Sequence, residues 1–369
     1  MLGPIKKLFN INVASPFGSK KQLLGLDIGS SAIKLVQMKK VKGSYFLQKF
    51  GIKPLEPEVI VDGTIMDAGR VMMAIKELIQ ETDVKLKHVA TSISGHSVIV
   101  KKITLPPLAD DEVESQVKLA AEQYIPFDIN EVNMDFYVTN TSEQSSDGQS
   151  QMSVLLVAAK KDKVNEVTEV VKGAGLIPVV LDIDAFAIEN MYGINYDVYP
   201  DDMVALVNIG GSVMNINILK GNSSLFTRDI SVGGSGYSEA IQRELGVSFE
   251  EAESIKKNHD QGSPNSAVVI NVIDGVNAEI ASEIAKSIDY FRTTLTDGEL
   301  KRILLCGGCA KINGLARQLS NRMGVAVELA DPFRKINVSD ADIDVESLSD
   351  LSPLAGVGVG LAFRTMGDR

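Results

Sequence analysis

The sequence predicts an α/β protein of two related halves with a small β-α-β-β-α module inserted in the chain. Three observations lead there. Two turns rich in glycine and hydroxyls, Asp27-Ile28-Gly29-Ser30-Ser31 and Asn208-Ile209-Gly210-Gly211-Ser212, each join one apolar strand run to another. Strand-like runs and helical periodicities then follow one another along most of the chain. Between the two turns, residues 97–176 repeat the pattern on a smaller scale, with the Pro106-Pro107 break near the start.

In chain order, residues 23–38 read as a hairpin and 45–53 as a further strand. Residues 67–81 carry Val71, Ala74, Ile75, Leu78 and Ile79 on one helical face, and 88–94 read as a strand. The module begins with a strand at 97–105. A helix follows from Asp110-Asp111, acids well placed for a helix N-terminus, to about Gln123. Strands at 132–139 and 154–159 flank a polar loop over 140–151, and a helix covers 162–174. The main fold resumes with a strand at 179–183, a helix at 185–192 and the second hairpin. Helices at 237–245, 248–258 and 276–295 come next, the last with Ile280, Ile284 and Ile288 on one face. A strand at 302–305 and a helix at 314–323 precede an acidic exposed loop at 339–352 and a final helix at 353–365. The expected domains are a flexible basic arm at 1–21, a first half at 22–96 and 177–200 with the helix 353–365, the inserted module at 97–176, and a second half at 201–352 whose outer subdomain is 236–300.

Composition narrows the function. The 369 residues are 44% hydrophobic and 23% charged, ordinary values for a globular protein. No apolar run approaches the ~20 residues that span a bilayer, and 1–21 lacks a secretory core, so the expected location is the cytoplasm. A net charge of −11 argues against nucleic acid as the main partner. Residues 1–53 nevertheless hold ten lysines and one acid, Asp27. Lysines guarding strand edges explain this; attraction of Lys6, Lys7, Lys20 and Lys21 to an anionic membrane surface is the sharper alternative. Cys306 and Cys309 have the spacing of a redox pair, but their glycines suit a tight turn. His88, His96 and His259 are too scattered to complete a zinc site.

A turn of glycine and small hydroxyls points backbone N–H groups at one spot, where an anion fits. Two such turns suggest two halves closing on one polyphosphate; two ordinary hairpins are the plainer reading. Asp27 is a candidate to hold Mg²⁺ through water, or else a turn residue bonding its own backbone. The run Leu305-Cys306-Gly307-Gly308 lets backbone approach a flat ring closely.

With these segments the chain resembles the actin-like ATPase superfamily of actin, Hsp70 chaperones, sugar kinases and the division protein FtsA. The resemblance implies a ribonuclease H-like two-domain fold with an FtsA-like inserted module. It implies ATP and Mg²⁺ as cofactors. The first turn (Asp27, Gly29, Ser30, Ser31 and the following Lys34) and the second (Asn208, Gly210, Gly211, Ser212) become the phosphate cradle. Gly233-Gly234, Glu253-x-x-Lys256-Lys257 and Gly307-Gly308 through Gly314 become the ribose and adenine contacts. A solvated helix face with an i,i+4 pair also accounts for Glu253 and Lys257. The superfamily usually has Asp where Asn208 stands. Asn lacks the charge to hold hydrated Mg²⁺ but still bonds water, so slow or negligible hydrolysis is expected. Asp184 aligns with the residue that orients the attacking water in relatives; a helix N-cap is the alternative.

The segments 24–34, Ala121-Glu122-Gln123-Tyr124-Ile125-Pro126-Phe127 and Arg228-Asp229-Ile230-Ser231-Val232-Gly233-Gly234 resemble, more narrowly, the PilM family of actin-like cytoplasmic proteins in type IV pilus assembly. That resemblance implies an ATP-binding scaffold of the inner-membrane pilus platform, held at the membrane through the N-terminal peptide of PilN. The pilus motor ATPases and a second copy of the chain are further candidate partners. Ile125, Pro126, Phe127 and Tyr137 are candidate groove residues, or else core of the module. A small-molecule kinase and a filament-forming division-type homologue are the competing functions.

Overall fold

Near-continuous buried runs such as Met203–Ile209 build two sheets, and two helices between them bury one face of each. The structure is a computed structural model that describes residues 22–144, 150–258, 266–294, 298–339 and 345–367. The basic arm expected over 1–21 lies outside the described residues.

The first sheet begins with β1 (Leu24–Ile28), β2 (Ala32–Val41) and β3 (Ser44–Pro54), an antiparallel meander. A short pair, β4 (Ile60–Val61) and β5 (Thr64–Ile65), leads to α1 (Ala68–Glu81). Asp67 caps α1 by accepting from the Arg70 amide, as its position before the apolar stripe requires. The strand β6 (His88–Ile93) then pairs parallel to β1.

The inserted module follows with β7 (Val98–Leu105), α2 (Asp110–Ala121), β8 (Val132–Gln144) and β9 (Ser150–Lys160). Its sheet order is β7-β9-β8, all antiparallel. Val113, Val117 and Ala121 of α2 close its core over Ile103, Val154 and Leu156. Backbone pairing continues to Gln144 and resumes at Ser150, so most of the polar loop expected over 140–151 is strand; 145–149 lie outside the described residues. Cross-strand bonding overrides polar composition there.

Next come α3 (Lys161–Gly173), β10 (Ile177–Ile183) and α4 (Asp184–Asn195). The sequence groups α3 with the module, yet its Val164, Val167, Val170 and Val171 pack with Val71 and Ile75 of α1 against the first sheet. The second sheet is built from β11 (Met203–Ile209), β12 (Met214–Lys220), β13 (Ser223–Ile230), and later β14 (Leu300–Cys306) and β15 (Ala326–Leu329), in the order β13-β12-β11-β14-β15. Polar β13 has no alternating apolar signal; the ladder to β12 makes it a strand.

Helices α5 (Gly234–Leu245), α6 (Phe249–Lys257), α7 (Ser266–Thr294) and α8 (Leu315–Met323) cover one face of that sheet. Ser248 and Glu251 form a capping box at the start of α6. Tyr237, Ile241, Ile280 and Ile284 share a core with Val207, Ile216 and Leu305 of the second sheet. The helices expected as an outer subdomain over 236–300 thus bury their apolar faces against that sheet. The chain returns to the first sheet as β16 (Ile336–Asn337), parallel to β3. A helix, α9 (Val345–Leu351), stands within the segment expected as exposed loop at 339–352, because Leu348 is buried in the shared core. The final helix is shorter than expected: a 3-10 turn at Ser352–Ala355 precedes α10 (Gly356–Ala362).

The helices α4 and α10 are sandwiched between the sheets. Ile188 and Met191 of α4 and Val357, Val359 and Leu361 of α10 share one core with Val36 and Met38 of the first sheet and Val204, Leu206 and Leu304 of the second. Gly360 permits this approach: a Cβ there would collide with the Ala187 carbonyl. The layers are therefore helix, sheet, helix, sheet, helix.

Candidate functional site

Both hairpins close the same way. The Gly29 N–H donates to the Ala32 carbonyl at 3.2 Å, and the Gly210 N–H to the Val213 carbonyl at 3.0 Å. The two turns meet. A Cβ built on Gly211 would lie 2.7 Å from Ser30 Oγ and 3.2 Å from Ser31 Cβ. Gly233 and Gly234 press on the second turn: the Gly234 N–H donates to Gly210 O at 2.9 Å, and the Ser235 N–H to Gly211 O at 2.8 Å. Gly307, at φ +88°, lies against Ile209 O and Asn208 Oδ1, where a side chain would collide. Behind these turns Lys256 Nζ donates to Gly234 O at 3.0 Å and pairs with Glu253, which also takes a hydrogen bond from Ser238 and lies 3.6 Å from Lys257 Nζ.

Thus Gly29, Ser30, Ser31, Gly210, Gly211, Ser212, Gly233, Gly234, Glu253, Lys256 and Gly307 are gathered around one junction of the halves, while Lys257 is exposed beyond Glu253 and Gly308 lies beside Leu354. Gly314 serves a more local need: at φ +86° it starts α8 beside Asn277 and Asp274 of α7.

The charged groups are already engaged. Lys34 Nζ reaches Asp27 Oδ2 at 3.1 Å, with both side chains nearly buried. Asp184 opens α4 without capping it; its carboxylate instead accepts from Ser92 Oγ at 2.6 Å. Burial, then the charge of Asp27, raises the Asp184 carboxyl to about 6 against the hydrogen bonds from Ser92 and Ser94. Asn208 Nδ2 donates to Asn215 Oδ1 at 2.9 Å.

The junction fits a polyphosphate. Ser212 Oγ is buried with no hydrogen-bond partner among the described residues, a cost that a ligand oxygen would remove. Glycines leave the room that a Cβ at 211 or 233 would fill. For a metal, no group of three His, Cys, Asp or Glu side chains is gathered among the described residues. Asp27 Oδ1 lies 3.8 Å from a Cβ built on Gly29, so this carboxylate could hold a hydrated cation beside the first turn.

The two thiols do not face each other as a redox pair would. Cys306 belongs to the core between the sheets and Cys309 to the core on the far face of the second sheet. Burial pushes the Cys306 thiol up to about 12 and that of Cys309 to about 11, the opposite of a reactive cysteine.

The four candidate groove residues are not on one surface. Ile125 is buried in the module core, and Phe127 packs on that core under Lys160 Nζ, 4.4 Å from the ring centre. Pro126 is exposed between them. Tyr137 packs on the first-half core, on the other face of the module sheet. Sequence reasoning missed Ser92, Gly95, Asn215 and Asp229. Asp229 sits in a motif singled out above, but only its glycines drew attention.

The family described as type IV pilus assembly protein PilM matches residues 25–366. The chain belongs to the PilM family. Among solved structures, a PilM-PilN type IV pilus biogenesis complex matches this PilM-family chain with a TM-score of 0.83 at 30% identity, covering 94% of this chain and 99% of that one. The ethanolamine utilization protein EutJ from Carboxydothermus hydrogenoformans matches at TM-score 0.55 and 19% identity, over 95% of this chain and 92% of that one. MreB5 of Spiroplasma citri bound to ADP matches at TM-score 0.50 and 13% identity, over 92% and 94%. The cell division protein FtsA of Enterococcus hirae is 21% identical over 352 residues, 84% of this chain and 78% of FtsA. These neighbours share the actin-like ATPase fold. Among the described residues no helix is long and apolar enough to cross a membrane.

Proposed function

We propose that this PilM-family protein is a nucleotide-gated adaptor of type IV pilus assembly, binding ATP with Mg²⁺ between its halves and the cytoplasmic N-terminal peptide of PilN on its surface. The observation that carries the nucleotide reading is the contact of the two turns, Gly211 against Ser30 and Ser31. A triphosphate placed there takes backbone N–H donors from both halves, and the buried Ser212 hydroxyl gains a partner. The adenosine end lies toward Gly233, Gly234, Lys256 and Gly307. Ligand bridging the halves favours one closure angle over others.

The likeness to the PilM-PilN complex supports PilN as the partner. Through it the adaptor joins the platform at the inner membrane. Pro126 and Phe127, on the connection from α2 to β8, are the docking candidates that sit at the module surface.

Hydrolysis is slow in this reading. Asn208 brings no negative charge, Asp27 is paired with Lys34, and Asp184 is held by Ser92.

Thermal unfolding with Mg-ATP, Mg-GTP and no nucleotide tests the reading. A ligand at 100 times its Kd adds about 2.7 kcal/mol of stability. An unchanged transition with saturating Mg-ATP would remove the nucleotide from the account. Brisk phosphate release by the natural protein would overturn slow hydrolysis alone.

A further inference from the structure

Three side chains stand opposite one another across three neighbouring strands. Asn208 on β11 is the register partner of Asn215 on β12, which is the partner of Asp229 on β13. They form one directed row. Asn208 Nδ2 donates to Asn215 Oδ1 at 2.9 Å, and Asn215 Nδ2 donates to Asp229 Oδ1 at 2.8 Å. The far oxygen, Asp229 Oδ2, accepts the Gly95 N–H at 2.6 Å. Beside it His96 Nε2 and Ser231 Oγ lie 2.9 Å apart. Gly95 and His96 belong to the connection from β6 to β7, where the chain leaves the first sheet and enters the inserted module. The row thus begins beside the second turn and ends at the root of the module, on the other half of the molecule.

Burial raises the Asp229 carboxyl, against the hydrogen bonds from Asn215 and Gly95 and the charge of His96, and both of its oxygens accept, Oδ1 from Asn215 and Oδ2 from Gly95. Asn215 must therefore give its amide to Asp229 and show its oxygen to residue 208. Residue 208 must then donate. Asn does so; Asp does not. A carboxylate at 208 would turn Asn215 over and set its oxygen against that of Asp229. Asn215 is buried, so a misdirected amide there is costly.

We propose that Asn208, Asn215 and Asp229 form a relay that couples occupancy of the nucleotide site to the seating of the inserted module, with Gly95 as the contact that opens and closes. The proposal rests on the nucleotide reading above. Nucleotide drawing the second turn onto the first carries the second sheet with it, and the Asp229 carboxylate, held in line by Asn215 Nδ2, meets the Gly95 N–H. Without nucleotide the two halves part, and that bond across them is the one released. Asn215 and Asp229 are positioning residues, since neither belongs to the turns that would hold the nucleotide.

Amide hydrogen exchange of the full chain with and without Mg-ATP tests this, alongside the equilibrium Kd for a fluorescent ATP analogue. In the natural protein, Mg-ATP should slow exchange over 94–98 by about fivefold or more, the lower end of ordinary coupling between sites. Asn215→Ala should bind the analogue nearly as well and lose that slowing. Slowing that survives in Asn215→Ala overturns the relay, as does a natural protein that binds the analogue with no change over 94–98. A natural protein that binds no analogue overturns the nucleotide reading and the relay with it. If Asn215→Ala does not fold, Asp229→Ala takes its place. It removes both acceptor oxygens, so neither Asn215 nor Gly95 keeps its partner, and the same outcomes decide.

Discussion

Gly233 lies against the second turn so closely that a Cβ on it would come within 2.7 Å of both the Gly210 and Gly211 carbonyl oxygens. Those oxygens accept the Gly234 and Ser235 amides that join the start of α5 to the turn. The neighbours are backbone, so no rotamer change relieves the overlap. Gly233→Ala should therefore push the turn out of place, cost about 1–3 kcal/mol as overpacking does, and weaken ATP binding about tenfold or more. Denaturant unfolding and nucleotide titration check both effects. Unchanged affinity would place the ligand away from this turn.

Glu189 on α4 accepts from Asn217 Nδ2 of β12 at 3.3 Å, across the interface between the halves. Burial, then the charge of Asp182, raises its carboxyl to about 8, against the hydrogen bond from Asn217. The folded state thus holds a proton that the unfolded chain releases near pH 4.5. The stability from this group is full below that pH and lost as pH rises through about 8. Glu189→Gln imitates the protonated acid. Its stability relative to the natural protein should grow from pH 5 to pH 8 and level off above. Urea unfolding at several pH values checks it; a constant difference refutes the assignment.

The buried thiols should be inert. With Cys306 pushed to about 12 and Cys309 to about 11, little thiolate exists at neutral pH. Alkylation by iodoacetamide should be slow in the folded protein and rapid in urea, and reductant should leave the thermal transition unmoved. Fast labelling of the native protein would restore the redox reading.

Ile125 should act through stability rather than recognition. It is buried with Val117 and Val132 in the module core, so Ile125→Ala should cost about 2–5 kcal/mol, concentrated in the module. Phe127→Ala, at the half-buried neighbour, should reduce PilN peptide affinity more than stability. Calorimetric titration with the peptide and denaturant unfolding separate the two. Equal peptide affinity in both variants would move the docking site elsewhere.

How much of the site the chain reveals on its own varies by residue. Gly210, Gly211 and Ser212 are legible because a tight turn between apolar strands has a local signature. Asp184 reads equally well as a cap or a catalytic group, and the choice depends on Ser92, nearly a hundred positions away and hydrogen-bonded to it only in the folded chain. Asn208 is visible as a missing carboxylate, but its partner Asn215 emerges from strand register. The polar strand β13 and buried Leu348 went unread for the same reason: their environment comes from other elements.

The residues alone determined the two hairpins, most of the helices, the place of the inserted module and the family resemblance, because each is encoded by local periodicity, turn chemistry or a short motif. Only the tertiary structure decided that Gly211 meets Ser30, that Asp229 reaches Gly95, and that Cys306 and Cys309 lie in separate cores. Those relationships join parts of the chain far apart in sequence, and burying α4 and α10 between the two sheets is what brings them together.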